Sequence, residues 1–249
     1  MKIPSLDASG KVVVVTGGSK GLGRAMALGF AAAGADVVVA SRKSSSCEEV
    51  ADEIRSMGQT ALAVQCHVGD WDQCNALIDA TVAAFGRIDV LVNNAGIAPV
   101  PPSLLDVTAD LFDKTIAVNL KGPLRLTALA AEHMSAGGAV INISSTASLH
   151  PTSYTVVYAA AKAGLNALTK AAALELGPRG IRVNAIVCGT FHTDSLQVSL
   201  PTEEMQARMA SNIALGRIAS ADEIVGTALY LASDASSYLT GELIVLNGG

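Results

Sequence analysis

Short apolar runs punctuate the chain. Each closes in a polar or glycine-rich turn and leads into a longer stretch whose apolar residues recur at helical spacing. Lys11 to Thr16 (KVVVVT), Asp36 to Ala40 (DVVVA), Thr60 to Cys66, Ile88 to Val92, Val140 to Ile143, Ile181 to Val187 and Leu243 to Leu246 are such runs. Continuous rather than alternating hydrophobicity marks strands covered on both faces, as in a parallel sheet. Between them the pattern predicts helices: one to about Ala33, then Cys47 to Met57 and Trp71 to Phe85. A longer one runs from Ala109 to about Met134 with an interruption near Gly122-Pro123, and another carries Tyr158 up to Gly177-Pro178. Residues 202–212 and Ala221 to Ala232 complete the set. This alternation, with no linker or repeat, predicts one α/β domain over residues 1–249, doubly wound on a seven-stranded parallel sheet. Residues 188–215 follow a strand's carboxyl end and are expected to form a substrate-binding loop and lid, or else a packed surface excursion.

Composition agrees with that picture. Half the residues are apolar, 16% are charged and 4% are aromatic, so alanine, valine, leucine and glycine do most of the packing. A net charge of −5 without a basic stripe argues against a nucleic-acid partner. Cys47, Cys66, Cys74 and Cys188 lack metal-ligand spacing, so a reduced, cytoplasmic protein without a metal site is expected. Met1 to Gly10 has no apolar leader core, and no charge-free run is long enough to span a bilayer, so no membrane role is expected.

Chemistry gathers where strands end. The first strand runs into Gly17, Gly18, Ser19, Lys20, Gly21, Leu22 and Gly23 and then a helix, the context of a phosphate-binding loop. Glycines admit a pyrophosphate close to the backbone, and the helix amino end offers N–H donors. The second strand of a Rossmann-type fold ends beside the adenosine ribose, where a carboxylate usually reads both hydroxyls. Here Ser41, Arg42 and Lys43 stand at that end. With Lys20 from the loop, they favour a 2′-phosphate and hence NADP(H), although each cation alone reads as a solvated surface charge. Asn93, Asn94, Ala95 and Gly96 close the fourth strand in a tight turn whose amides can tie neighbouring loops together. Tyr158 and Lys162 lie one helical turn apart, and Ser145 lies at a strand's carboxyl end. A cation beside the phenol would favour the phenolate, and the three together could polarise a carbonyl oxygen. Asn119, polar within an apolar helix, reads by default as a structural hydrogen-bonder.

With these residues in hand, the chain is similar over nearly its whole length to the short-chain dehydrogenase/reductase family. The likeness rests on Thr16-Gly17-x-x-x-Gly21-x-Gly23, Asn93-Asn94-Ala95-Gly96, Ser145 with Tyr158 and Lys162, and Tyr238-Leu239-Thr240-Gly241. The family's serine stands thirteen residues before its tyrosine, which selects Ser145 over Ser144. The resemblance implies hydride transfer between NADP(H) and a small carbonyl or alcohol substrate, with Tyr158 as proton donor and Ser145 bonding the carbonyl oxygen. It gives Lys162 the nicotinamide ribose and a lowering of the tyrosine pKa, and it gives Asn119 a water leading from Lys162. It also implies cofactor contacts from His67, Val68, Asn94, Ala95, Gly96, Gly189, Phe191 and Thr193, and a homotetramer. His67 replaces a usual aspartate, Cys188-Gly189 a usual Pro-Gly, and Asn247 a usual aspartate.

A ketone reductase or alcohol dehydrogenase is the leading reading. A 3-oxoacyl-carrier-protein reductase would need a basic patch for its acidic partner, and the expected lid offers only Arg208 and Arg217. A sugar or polyol dehydrogenase stays open. A non-enzymatic dinucleotide sensor is disfavoured by the intact Asn119, Ser145, Tyr158 and Lys162.

Overall fold

A computed structural model of the chain describes residues 5–193, 196, 200 and 202–249. Among these residues seven parallel strands form one sheet: β1 (Val12–Thr16), β2 (Asp36–Ser41), β3 (Ala61–Gln65), β4 (Val90–Asn93), β5 (Ala139–Ser145), β6 (Arg182–Cys188) and β7 (Leu243–Leu246). Their order is β3-β2-β1-β4-β5-β6-β7. The chain steps outward from β1 to β3, then crosses back to lay β4 along the other edge of β1. The reversal opens a crevice between the carboxyl ends of β1 and β4, where sheets of this kind receive ligands.

Both faces of the sheet are covered, which explains the continuous apolar runs. Val13, Val15, Val37 and Val39 pack with α1 (Gly21–Ala32), α2 (Ser44–Ser56) and the later helix Val225–Ala232. Val14, Val38, Leu91 and Val140 pack on the opposite face with α3 (Trp71–Phe85), α5 (Gly122–Glu132) and α6 (Val156–Leu176). Between α3 and α5 lies α4 (Ala109–Ile116). After β6 come α7 (Glu203–Ala210) and α8, the helix Val225–Ala232. No described helix is long and apolar enough to cross a membrane.

Most boundaries shift slightly from expectation, and three helices differ more substantially. Helix α2 begins at Ser44 rather than Cys47, so Ser44, Ser45 and Ser46 are helical despite composing a loop-like run. The helix expected over 109–134 is three pieces: α4, a π-helical turn over Ala117–Lys121, and α5. Pro123 has no N–H to offer the carbonyl four residues back, at Asn119, so a regular α-helical ladder cannot pass. Gly122-Pro123 therefore starts α5. The last expected helix opens with a 3-10 turn, Ala221–Ile224, before α8. Of the expected lid, residues 194, 195, 197–199 and 201 lie outside the described residues.

Candidate active site

The crevice is built around one hydroxyl. Thr16, the last residue of β1, donates to the Val92 carbonyl (3.2 Å) and accepts the Asn94 and Ala95 N–H groups (3.0 and 3.1 Å). The Asn94 amide donates to the carbonyls of Thr16 (2.9 Å) and Gly17 (3.2 Å), so the turn after β4 clips the glycine loop in place. Gly17 takes φ +63°, a left-handed conformation that side chains resist. At Gly23 a Cβ would run into the Gly17 carbonyl, so the loop closes only around glycine. Helix α1 then starts with no side-chain cap at Lys20 and no acid in its first turn. Its amino-terminal N–H groups face the crevice mouth, and that arrangement fits a dinucleotide's pyrophosphate.

The remaining candidate cofactor residues distribute along the same edge. Ser19 is half-buried, Lys20 and Arg42 are exposed, and Leu22 is half-buried against the core. Ser41 ends β2 with Arg42 immediately after it, and the Arg42 carbonyl accepts from Gln65 Nε2 (3.1 Å). Beyond β3, the His67 N–H donates to Gln73 Oε1 (2.8 Å), and the ring lies against Gly69. The side chains of Val68 and Phe191 are turned into the core, so only their backbone is left for a ligand. The Gly189 N–H donates to the Leu246 carbonyl (2.9 Å), tying the β6 turn to β7. Thr193 brings its methyl over Gly21, where a Cβ would lie 3.2 Å away.

Tyr158 and Lys162 rise from the first turns of α6 toward the end of β5. Lys162 is almost wholly buried, and its Nζ donates to the Ile143 carbonyl (2.7 Å). A Cβ on Gly96 would lie 2.9 Å from Asn119 Oδ1 and 3.6 Å from Lys162 Nζ, so those three groups converge. Asn119 sits in the π-helical turn. Its amide donates to the carbonyls of Ile97 (2.8 Å) and Thr115 (2.9 Å) and accepts the Ile97 N–H (3.3 Å). Its side chain is thus spent on holding the irregular segment after Gly96. Of the two serines ending β5, Ser144 is buried and donates to Asn166 Oδ1 (2.7 Å). Ser145 accepts the Ala147 N–H (3.2 Å), and its hydroxyl is also hydrogen-bonded with Tyr158.

Electrostatics correct one expectation. The Tyr158 phenol is held above its ordinary pKa by burial, with Ser145 pulling it back and Cys188 adding a small rise. Lys162 does not lower it in this arrangement. The ammonium points at Ile143 and lies 5.8 Å from the ring centroid. Burial draws Lys162 itself down to about 8, opposed by nearby Cys188. The Cys188 thiol is pushed up to about 12 by burial, opposed by Lys162.

Two participants escaped the sequence reading, the Ile143 carbonyl and Cys47, and Cys188 entered it only as a departure from a usual proline. Cys188 stands beside Ser145 in the β5–β6 register, and Cys47 lies 3.1 Å from the Ser41 hydroxyl. Strand-end position was the available sign for Cys188; nothing local marks the other two.

Comparison with known proteins bears on this geometry. Residues 17–249 match a family model described as enoyl-(acyl carrier protein) reductase. The L-rhamnose 1-dehydrogenase (NAD(P)(+)) of Azotobacter vinelandii is 41% identical over 246 residues, covering 96% of each chain. A short-chain type dehydrogenase/reductase from Mycobacterium marinum superimposes with a TM-score of 0.90 at 37% identity, covering 98% of this chain and 96% of that one. A short-chain dehydrogenase from Burkholderia cenocepacia J2315, solved in complex with NADP, gives 0.91 at 33% identity, with 97% and 98% covered.

Proposed function

Because the chain belongs to the short-chain dehydrogenase/reductase family, we propose that it moves a hydride between NADP(H) and a ketone or secondary alcohol, with Tyr158 as general acid and base. It is an oxidoreductase of CH–OH and C=O groups that uses a nicotinamide dinucleotide. The observation that carries the proposal is the convergence of Lys162, Asn119 and Gly96 beside Tyr158 and Ser145, in the crevice that begins at the glycine loop.

The glycine loop from Gly17 to Gly23 would hold the pyrophosphate, Ser41, Arg42 and Lys20 the adenosine ribose and its phosphate, and His67 and Val68 the adenine. The turn from Asn94 to Gly96, with Lys162, Gly189, the Phe191 backbone and Thr193, would hold the nicotinamide end. When bound, the nicotinamide gives or takes the hydride. In reduction, Tyr158 donates its proton to the carbonyl oxygen, and the Ser145 hydroxyl bonds that oxygen and orients it. Lys162 passes a proton back to the phenolate left behind. A phenol kept protonated by burial suits this role, and acid catalysis of the kind is worth ~10²–10⁴-fold. Asn119 would act by fixing the Gly96–Ile97 backbone, part of the turn that would hold the nicotinamide end.

Preference for NADP(H) is supported by the serine at the end of β2, where a carboxylate would repel a phosphate, and by Arg42 beside it. One charge-assisted bond contributes ~1.5–3 kcal/mol, so kcat/KM should favour NADPH over NADH by about tenfold or more. Arg42→Ala should erase most of that preference, and equal values in the parent would refute it.

A sugar substrate is the second reading, favoured by the relative named L-rhamnose 1-dehydrogenase. An acyl carrier partner is less favoured, because Arg217 is already held by both oxygens of Glu223 (2.6 Å each). A panel of aldoses, ketones and secondary alcohols, followed by nicotinamide absorbance with both cofactors, separates these. Turnover confined to aldoses would replace the ketone reading. We place the protein in the cytoplasm as a homotetramer.

A further inference from the structure

Ser41 is the residue at the end of β2 from which the cofactor preference was argued, and its hydroxyl is not alone. The Cys47 sulfur lies 3.1 Å from Ser41 Oγ, and either atom can be the donor. Cys47 is the fourth residue of α2 and wholly buried, so the contact sits on the protein side of the serine. The same sulfur lies 3.8 Å from the Ser41 carbonyl and 3.7 Å from the Val64 carbonyl. The thiol hydrogen therefore has a choice of acceptors. Burial raises the thiol's pKa, which favours the protonated form and keeps that hydrogen in place.

Two arrangements follow. In one, the thiol donates to Ser41 Oγ and the serine O–H is left to point outward. In the other, the thiol donates to a carbonyl, the serine O–H turns inward to the sulfur, and a serine lone pair faces out. Thiols are weak donors and weak acceptors, so neither arrangement is strongly preferred. An outward O–H suits a phosphate, which only accepts. An outward lone pair suits a ribose hydroxyl, which can donate.

We propose that Cys47 is a positioning residue for cofactor choice, exchanging donor and acceptor with Ser41 so that one serine receives either a 2′-phosphate or a free 2′-hydroxyl. The proposal rests on the reading that Ser41 faces the adenosine ribose. On this account Arg42 supplies the preference for the phosphate, and the Ser41–Cys47 pair would let the unphosphorylated cofactor be accepted as well.

The test is a set of dissociation constants for NADPH and NADH, read from dihydronicotinamide fluorescence, with thermal melts on every variant. Cys47→Val keeps the volume but has neither donor nor acceptor. It should weaken both cofactors by ~3- to 10-fold, the worth of one ordinary hydrogen bond. Cys47→Ser should restore binding of both, and Cys47→Ala should repeat the valine result. In a Ser41→Ala background, Cys47→Val should change neither constant. If Cys47 only packs the helix, its loss will weaken binding equally in both backgrounds, and that result overturns the proposal. Cys47 variants that bind like the parent while Ser41→Ala does not would also overturn it. A Ser41→Ala protein indistinguishable from the parent would instead overturn the placement of Ser41 beneath it.

Discussion

Tyr158 illustrates how a single side chain is set by its surroundings. Its phenol is kept protonated by burial, and the Ser145 hydroxyl beside it moderates that effect. Tyr158→Phe removes only the hydroxyl, so turnover should fall by ~10²–10⁴-fold while the NADPH dissociation constant stays near the parent's. Near-normal turnover in the folded variant would remove Tyr158 from the chemistry. Lys162 makes a different prediction, about stability. In an unfolded chain a lysine holds its proton to about pH 10.4, whereas buried Lys162 releases it near about 8. Between those values the unfolded state binds more protons, so this residue's contribution to stability rises with pH across that window. Lys162→Met should therefore gain most over the parent at about pH 7 and least at about pH 9.5, as read by urea unfolding. Tyr158, Lys162 and Ser145 were legible as residue types at the right spacing. That Lys162 would bond the Ile143 carbonyl was not, because the contact depends on the depth at which α6 packs against β5.

Elements show the same division between what a short stretch declares and what packing decides. Helix α3 follows the sequence reading because both ends are marked: Asp70 accepts the Asp72 and Gln73 N–H groups, and Gly86 turns left-handed at φ +73°. The start of α2 carries no such mark. Lys43 precedes it without a side-chain cap, and three serines read as loop until Cys47, Val50 and Ile54 are seen packed against the sheet. The π-helical turn is equally silent, since Pro123 announces a disruption without saying which residues widen to absorb it. The glycine loop, by contrast, could be read directly, because its tight approach admits one residue type. Gly23→Ala would press a methyl into the Gly17 carbonyl and the Asn94 amide. It should destabilise the fold by about 1–3 kcal/mol, and NADPH binding should weaken by more than its effect on Tm accounts for. An alanine variant that binds like the parent would show that the loop has room to spare.

At the scale of the molecule, several regions leave apolar side chains in water among the described residues, and two of them lie on elements that a second copy could cover. Leu174 on α6 and Leu124 on α5 are exposed on one side. Tyr238 is fully exposed and Val245 lies on edge strand β7. Such patches are costly in a monomer, and an uncovered edge strand invites pairing. Two separate two-fold contacts would cover them and build the expected tetramer. Light scattering should give four times the 25.3 kDa of one chain, and Leu174→Glu should reduce it to a dimer. A monomeric parent at micromolar concentration would refute the assembly. The sheet order, finally, sets a timetable for the chain during its own synthesis. Strand β1 is flanked by β2, which is complete at residue 41, and by β4, which is complete only at residue 93. At ~5–20 residues per second, one side of a four-valine strand waits roughly 3–10 s for its partner. Throughout that wait Thr16 has no turn to grip, so the glycine loop cannot yet be shaped. The nascent chain passes its most adhesive moment before any nucleotide can shelter it, and the ribosome's pace sets how long that moment lasts.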